Sequence, residues 1–282
     1  LIPKSLKQIK LGVMQGRLLP KYKGRYQAHP FGYWQDEFPI ASELGLDCIE
    51  FIFDYDSFEE NPLMTKEGRS EIVEMTECTG VEVRSVCGDF FMDCPMHSKD
   101  KSQAAFSLEI LRRLIEVCSK LGIKDVVIPC VDQSSICEDE RTNRFLSAIQ
   151  SVLPLSESLE VRLCLETDLP PGRFFRLLKE LDSDSVSVNY DTGNSVSLGY
   201  DFKDELAAYG NSITDLHIKD RTYGGGSVPL GEGSMNFEEF FSCFSKINFE
   251  GIMILQAYRD DEGLKIFTRQ FEFLKETLSN HY

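Results

Sequence analysis

Several common signatures are missing from this chain. No apolar run approaches 18 residues, which leaves no expected membrane span. No Cys-x-x-Cys pair occurs, and the nine cysteines are odd in number. That pattern fits reduced, mostly buried thiols better than a disulfide framework or a zinc ribbon. Histidine is scarce, with four residues at His29, His97, His217 and His281. Positive charge is also short: 30 Lys+Arg stand against 46 Asp+Glu, a net charge of −16. A chain this acidic, with no basic run, repels phosphate backbones and is not expected to bind nucleic acid. The opening Leu1-Ile2-Pro3-Lys4 does not read as a signal peptide. With the reduced thiols it leads us to expect a cytoplasmic protein. There is no low-complexity tract and no heptad run.

What is present is an alternation. Apolar, β-branched segments fall at Leu11–Gln15, Cys48–Phe53, Val81–Cys87, Asp125–Cys130, Val161–Glu166, Val186–Asp191, Thr214–Lys219 and Ile252–Gln256. Segments of helical period lie between them. In the clearest, Lys101–Leu121, residues Ala104, Leu108, Leu111, Ile115 and Cys118 form one stripe. Further helices are expected near Trp34–Leu44, Thr65–Thr79, Asp139–Ser156, Gly172–Leu181, Phe202–Tyr209 and Glu262–Ser279. Asn236 with Glu239 three residues on is a helix start signal.

Eight strand–helix units in roughly 250 residues predict an α/β protein, a (β/α)8 TIM barrel forming a single domain over residues 1–282. Residues 1–10 would be a lead-in, 16–33 a long aromatic first loop, and 220–236 a glycine-rich loop after the seventh strand. An open doubly wound sheet is the alternative. The first strand, however, runs into Gln15-Gly16-Arg17, which is no dinucleotide fingerprint.

Chemistry in such a barrel sits at the carboxyl ends of the strands. The last inward positions of the last four strand candidates are Glu166, Asp191, His217 and Gln256. Two carboxylates, an imidazole and an amide oxygen make a mixed donor set suited to Mn²⁺, Mg²⁺, Co²⁺ or Zn²⁺. Gln15, Arg17, Glu50, Asn194, Lys219 and Arg221 complete the candidate substrate-binding set. Arg17 has the fork to clamp a phosphate or carboxylate. Lys219 either contacts a substrate oxygen or pairs with Asp191 or Asp220. Glu50, if buried, needs a partner such as Arg17 or Lys219. The glycines at Gly224–Gly226, Gly231 and Gly233 would let backbone N–H groups approach an anion.

The chain resembles the xylose isomerase-like TIM barrel family, in its sugar phosphate isomerase/epimerase branch. The segments that carry the likeness are Gly12-Val13-Met14-Gln15-Gly16-Arg17, Glu43 to Glu50, Leu165-Glu166, Asp191-Thr192-Gly193-Asn194, His217-Ile218-Lys219-Asp220 and Pro229 to Gly233. The resemblance implies a metal held by Glu166, Asp191 and His217. It also implies a fourth ligand at position 256, where the family's Glu is replaced by Gln256, and Asn194 stands where members often place a His. Such enzymes remove a proton beside a carbonyl, and in the family the two glutamates serve as bases on opposite faces. An amide takes no proton at neutral pH. The expectation is therefore a one-base, metal-dependent isomerase acting on a small sugar or sugar phosphate, with Glu166 as the base. A dehydratase or lyase, or a non-catalytic sugar-binding barrel, are the alternatives. A homodimer fits the class. A multi-zinc phosphodiesterase on this fold is disfavoured by the four histidines and the acidic charge.

Overall fold

A computed structural model describes residues 9–281; residues 1–8 of the expected lead-in lie outside the described residues. The strands are β1 (Lys10–Met14), β2 (Cys48–Ile52), β3 (Glu82–Cys87), β4 (Asp125–Cys130), β5 (Arg162–Thr167), β6 (Val186–Asp191), β7 (Ile213–Ile218), the short pair β8 (Asp220–Arg221) and β9 (Ser227–Val228), and β10 (Ile252–Leu255). The helices are α1 (Glu37–Leu44), α2 (Lys66–Thr79), α3 (Phe90–Asp93), α4 (Lys101–Leu121), α5 (Asp139–Leu159), α6 (Pro171–Leu181), α7 (Thr192–Leu198), α8 (Phe202–Tyr209), α9 (Phe237–Phe244) and α10 (Leu264–Ser279). The eight long strands form a closed barrel in the order β1-β10-β7-β6-β5-β4-β3-β2, as the alternation predicts.

The described residues fall into two compact units, 9–50 with 189–281 and 51–188. In the first, β1 is flanked by parallel β2 and β10, and β10 pairs in turn with β7. The register sets Gly12 level with Cys48 on one side and with Ile254 on the other. Ile254 is level with His217. In the second, β3, β4 and β5 pair in parallel, and β5 sets Leu165 opposite Val188. β4 is buried along its whole length, as expected of a parallel strand covered on both faces.

Local chemistry sets the helix ends. Asp100 accepts the N–H groups of Ser102 and Gln103 at the start of α4, and Gly122, at φ 74°, ends it. Pro171 opens α6, where its missing N–H costs no hydrogen bond. Asn236 caps α9 by accepting the Glu239 N–H at 3.1 Å, as its spacing predicts. Two features add to the expected elements. The segment after Asp191 is helical (α7), because the Asp191 side chain caps it. The loop after β7 is not wholly irregular, since β8 and β9 form an antiparallel pair within it. No helix among the described residues is long and apolar enough to cross a membrane.

Candidate functional site

His217 lies on β7 and is fully buried. Its Nε2 is 2.7 Å from Glu50 Oε1, and its Nδ1 is 3.0 Å from Asn189 Nδ2. An amide nitrogen only donates and a carboxylate accepts. The ring is thereby held as the tautomer with its proton on Nε2 and a lone pair on Nδ1. Ligating histidines are commonly oriented this way, with one nitrogen anchored by a carboxylate; here the other accepts the Asn189 N–H, which a metal at Nδ1 would have to displace. Glu50, for which the sequence suggested a partner such as Arg17 or Lys219, bonds His217. Glu50, Asp215 and His217 each offer one potential ligand atom within 4.8 Å of the others. The 2.7 Å Glu50–His217 bond already fills the gap between two of them.

Asp191 ends β6. Its Oδ1 accepts the Asn194 N–H at 2.8 Å, and its Oδ2 lies 3.4 Å from Lys219 Nζ. Of the two acids suggested for Lys219, the ion pair is with Asp191. The lysine reaches it across Gly193, where a Cβ would come within 2.8 Å of Lys219 Cγ. Thr192 Oγ1 ties the ends of β6 and β7 together: it donates to the Lys219 carbonyl at 2.6 Å and accepts the Lys219 N–H at 2.9 Å. Behind Asp191, Tyr190 and Tyr209 donate to buried Glu205 at 2.7 and 2.8 Å. Ser195 donates to the same carboxylate, and burial raises the pKa of that acid.

Gln256 follows β10, and its backbone N–H bonds the Ile218 carbonyl at 3.1 Å. It therefore stands just past His217 on the neighbouring strand. Its Nε2 donates to Gln27 Oε1 at 3.1 Å. Its Oε1 is buried and has no hydrogen-bond partner. A buried carbonyl oxygen without a donor is costly, unless a cation or a substrate hydroxyl completes it. A carboxylate, an imidazole nitrogen and an amide oxygen, as at Asp191, His217 and Gln256, are donor types that suit a divalent ion.

Arg17 is buried, and its guanidinium is engaged by the protein itself. Nε donates to the Ala257 carbonyl at 3.0 Å, Nη2 to Gln27 Oε1 at 2.9 Å and Nη1 to the Tyr26 carbonyl at 3.4 Å. The fork suggested as an anion clamp thus already meets three protein acceptors. Gln15 Oε1 accepts from His29 Nδ1 at 2.8 Å; burial pushes the pKa of His29 down to about 3, so the ring stays neutral. Arg221 donates through Nη1 to Asn194 Oδ1 at 2.9 Å and through Nε to the Gly225 carbonyl at 2.9 Å.

The glycine-rich loop also has its own anion. Asp220 Oδ2 accepts the N–H groups of Gly231 and Gly233, and its Oδ1 that of Met235. A Cβ at Gly233 would lie 2.1 Å from Asp220 Oδ1. These amides serve an internal carboxylate, where the sequence had suggested an external anion.

Glu166 lies on β5 and is buried. Sequence reading missed Asn189 and Gln27. Asn189 stands two residues before Asp191 on the same strand face, so the two-residue strand period could have found it. Gln27 sits in a loop with no periodic signal.

A family described as xylose isomerase-like TIM barrel matches residues 38–277. The L-ribulose-5-phosphate 3-epimerase UlaE of Salmonella paratyphi A is 26% identical over 263 residues, covering 90% of this chain and 89% of that protein. Among solved structures, an L-ribulose 3-epimerase superposes with a TM-score of 0.74 at 16% identity, covering 97% of this chain and 95% of that one. The IolI protein with a zinc atom superposes with a TM-score of 0.77 at 15% identity, covering 97% and 99%.

Proposed function

We infer the function from two premises: this chain belongs to the xylose isomerase-like TIM barrel family, and its strand ends carry a divalent-metal donor set. The chain is an enzyme of the sugar isomerase/epimerase type, acting on a small sugar or sugar phosphate. The relative named L-ribulose-5-phosphate 3-epimerase supports that class. Glu166, Asp191, His217 and Gln256 would hold the metal. Carboxylates such as Glu166 and Asp191 and an imidazole such as His217 are ligand types that hold divalent metals. The observation that carries the reading is the buried, donorless Oε1 of Gln256.

When bound, the ion would polarise a substrate carbonyl and offset the charge that develops on its oxygen. The Glu166 carboxylate takes the proton from the carbon beside that carbonyl. It returns the proton to the adjacent carbon from the same face while the hydroxyl proton passes to the former carbonyl oxygen, and the two transfers together interconvert aldose and ketose. Lys219 neutralises part of the charge on Asp191. Gln256 accepts but takes no proton, so the opposite face lacks the second base that epimerisation by two bases requires.

The test is turnover of a panel of ketoses and ketose phosphates in D2O with Mn²⁺ supplied. Wild type is expected to form aldoses with deuterium incorporated, and Glu166→Gln to lose at least 100-fold. Accumulation of a C3 epimer as the main product would overturn the one-base reading. Full activity in Glu166→Gln would remove Glu166 from its role.

A further inference from the structure

We propose that Arg17 and Gln27 are positioning residues that lock the Gln256 amide, so that position 256 presents an acceptor and never a donor. This inference rests on the metal reading of the site given above. It starts at Arg17, the one member of the chain of contacts that cannot reverse its role: guanidinium nitrogens only donate. The group is buried and fixed in place, by the Ala257 and Tyr26 carbonyls and by the Tyr26 ring 5.2 Å from its central carbon. Its Nη2 bond to Gln27 therefore settles which end of the Gln27 amide faces it, namely Oε1. The same oxygen accepts from Gln256 Nε2. With Gln27 Oε1 pinned, a reversed Gln256 amide would set two acceptors against each other. The only orientation that satisfies both contacts leaves Gln256 Oε1 as the buried oxygen without a donor.

The same logic bears on why this position carries an amide. A carboxylate at 256 would bring an oxygen against Gln27 Oε1, and Gln27 could turn its own amide only by giving up the Arg17 bond. Arg17, Gln27 and Gln256 are a matched set in which an amide at 256 is the group that fits. Arg17 contributes to the site through this chain of contacts, at one remove from any ligand.

The experiment is Mn²⁺ binding to the metal-free protein, followed by calorimetric titration and by the electron paramagnetic resonance signal of free Mn²⁺. Gln27→Met removes the acceptor and is expected to weaken Mn²⁺ by about 10-fold, the lower end of what residues that orient a ligand contribute. Gln27→Glu still accepts from both neighbours and is expected to bind like wild type. Gln256→Met should weaken binding by itself. The double variant Gln27→Met/Gln256→Met should then be no weaker than Gln256→Met, because Gln27 acts only through Gln256. The inference is overturned if Gln27→Met binds like wild type, if Gln27→Glu fails as Gln27→Met does, or if the Gln27→Met loss repeats in the Gln256→Met background. In those cases wild type still binds Mn²⁺ and the metal reading stands. A wild type that binds no Mn²⁺ sinks both.

Discussion

His217 Nε2 and Glu50 Oε1 meet at 2.7 Å, and both side chains are fully buried. They are 167 positions apart in sequence, on β7 and β2. The contact decides which ring nitrogen carries the proton, and so which one keeps a lone pair, the one that meets Asn189 Nδ2 at 3.0 Å.

Removing that carboxylate should therefore act on metal binding. Glu50→Ala leaves the Nε2 proton buried without an acceptor and frees the ring to change tautomer. Mn²⁺ affinity is expected to fall 10- to 100-fold, with a stability loss of about 1–3 kcal/mol for the stranded donor. Glu50→Gln keeps an acceptor and should lose much less of both. Titration of metal-free protein and urea unfolding of the same samples measure the two effects. Equal affinity in Glu50→Ala and wild type would mean that the ring needs no such anchor.

Lys219 already places a positive charge 3.4 Å from Asp191 Oδ2. A cation arriving at that carboxylate meets it as a competitor. Lys219→Met should tighten Mn²⁺ by roughly fivefold, the equivalent of about 1 kcal/mol of relieved repulsion, while turnover falls. Weaker Mn²⁺ binding in Lys219→Met would show that the lysine supports the site chiefly by holding Asp191 in place.

Asp220 gathers three backbone N–H groups, from Gly231, Gly233 and Met235. Asp220→Ala strands all three. The segment from 229 to 235 should lose amide protection, read by hydrogen exchange, and the protein about 1–3 kcal/mol of stability. Asp220→Asn, which keeps one acceptor oxygen, should fall between that variant and wild type. Unchanged exchange at Gly231 and Gly233 would show that the loop holds its shape without the carboxylate.

The barrel was legible because its strands and helices obey local rules. Asp125–Cys130 is a β-branched run that reads as a covered parallel strand, and the structure gives it the same limits. Lys101–Leu121 shows its stripe in sequence, and its Asp100 and Gly122 termini mark its ends. The strand-end residues Asp191, His217 and Gln256 were legible for the same reason, since a strand's end follows from its length. What escaped was set by contacts distant in sequence. Arg17 has the fork of an anion clamp, and composition cannot reveal that Ala257, 240 positions away, supplies a carbonyl for its Nε. Gly231 and Gly233 looked like an open anion cradle because nothing local to them announces Asp220.

Glu37, at the start of α1, is buried and accepts the Leu18 N–H at 3.2 Å. Burial raises its pKa from 4.5 to about 7. The backbone N–H groups of Gly16 and Leu18 and the charges of Arg259 and Arg17 pull the other way without cancelling that effect. Below pH 4.5 the folded and unfolded chains both carry the proton, and the group adds no pH dependence. Between 4.5 and about 7 the unfolded chain releases the proton while the folded one keeps it. Stability therefore falls as pH rises through that window and levels off above it, by up to roughly 3 kcal/mol. Glu37→Gln mimics the protonated form and removes this contribution. The stability of the variant relative to wild type should then grow by roughly that amount between pH 4.5 and 7.5, measured by urea unfolding at each pH. A difference that stays constant across the window would mean that Glu37 ionises alike in both states, its carboxylate being stabilised by the backbone N–H groups and the Arg259 and Arg17 charges as much as burial opposes it.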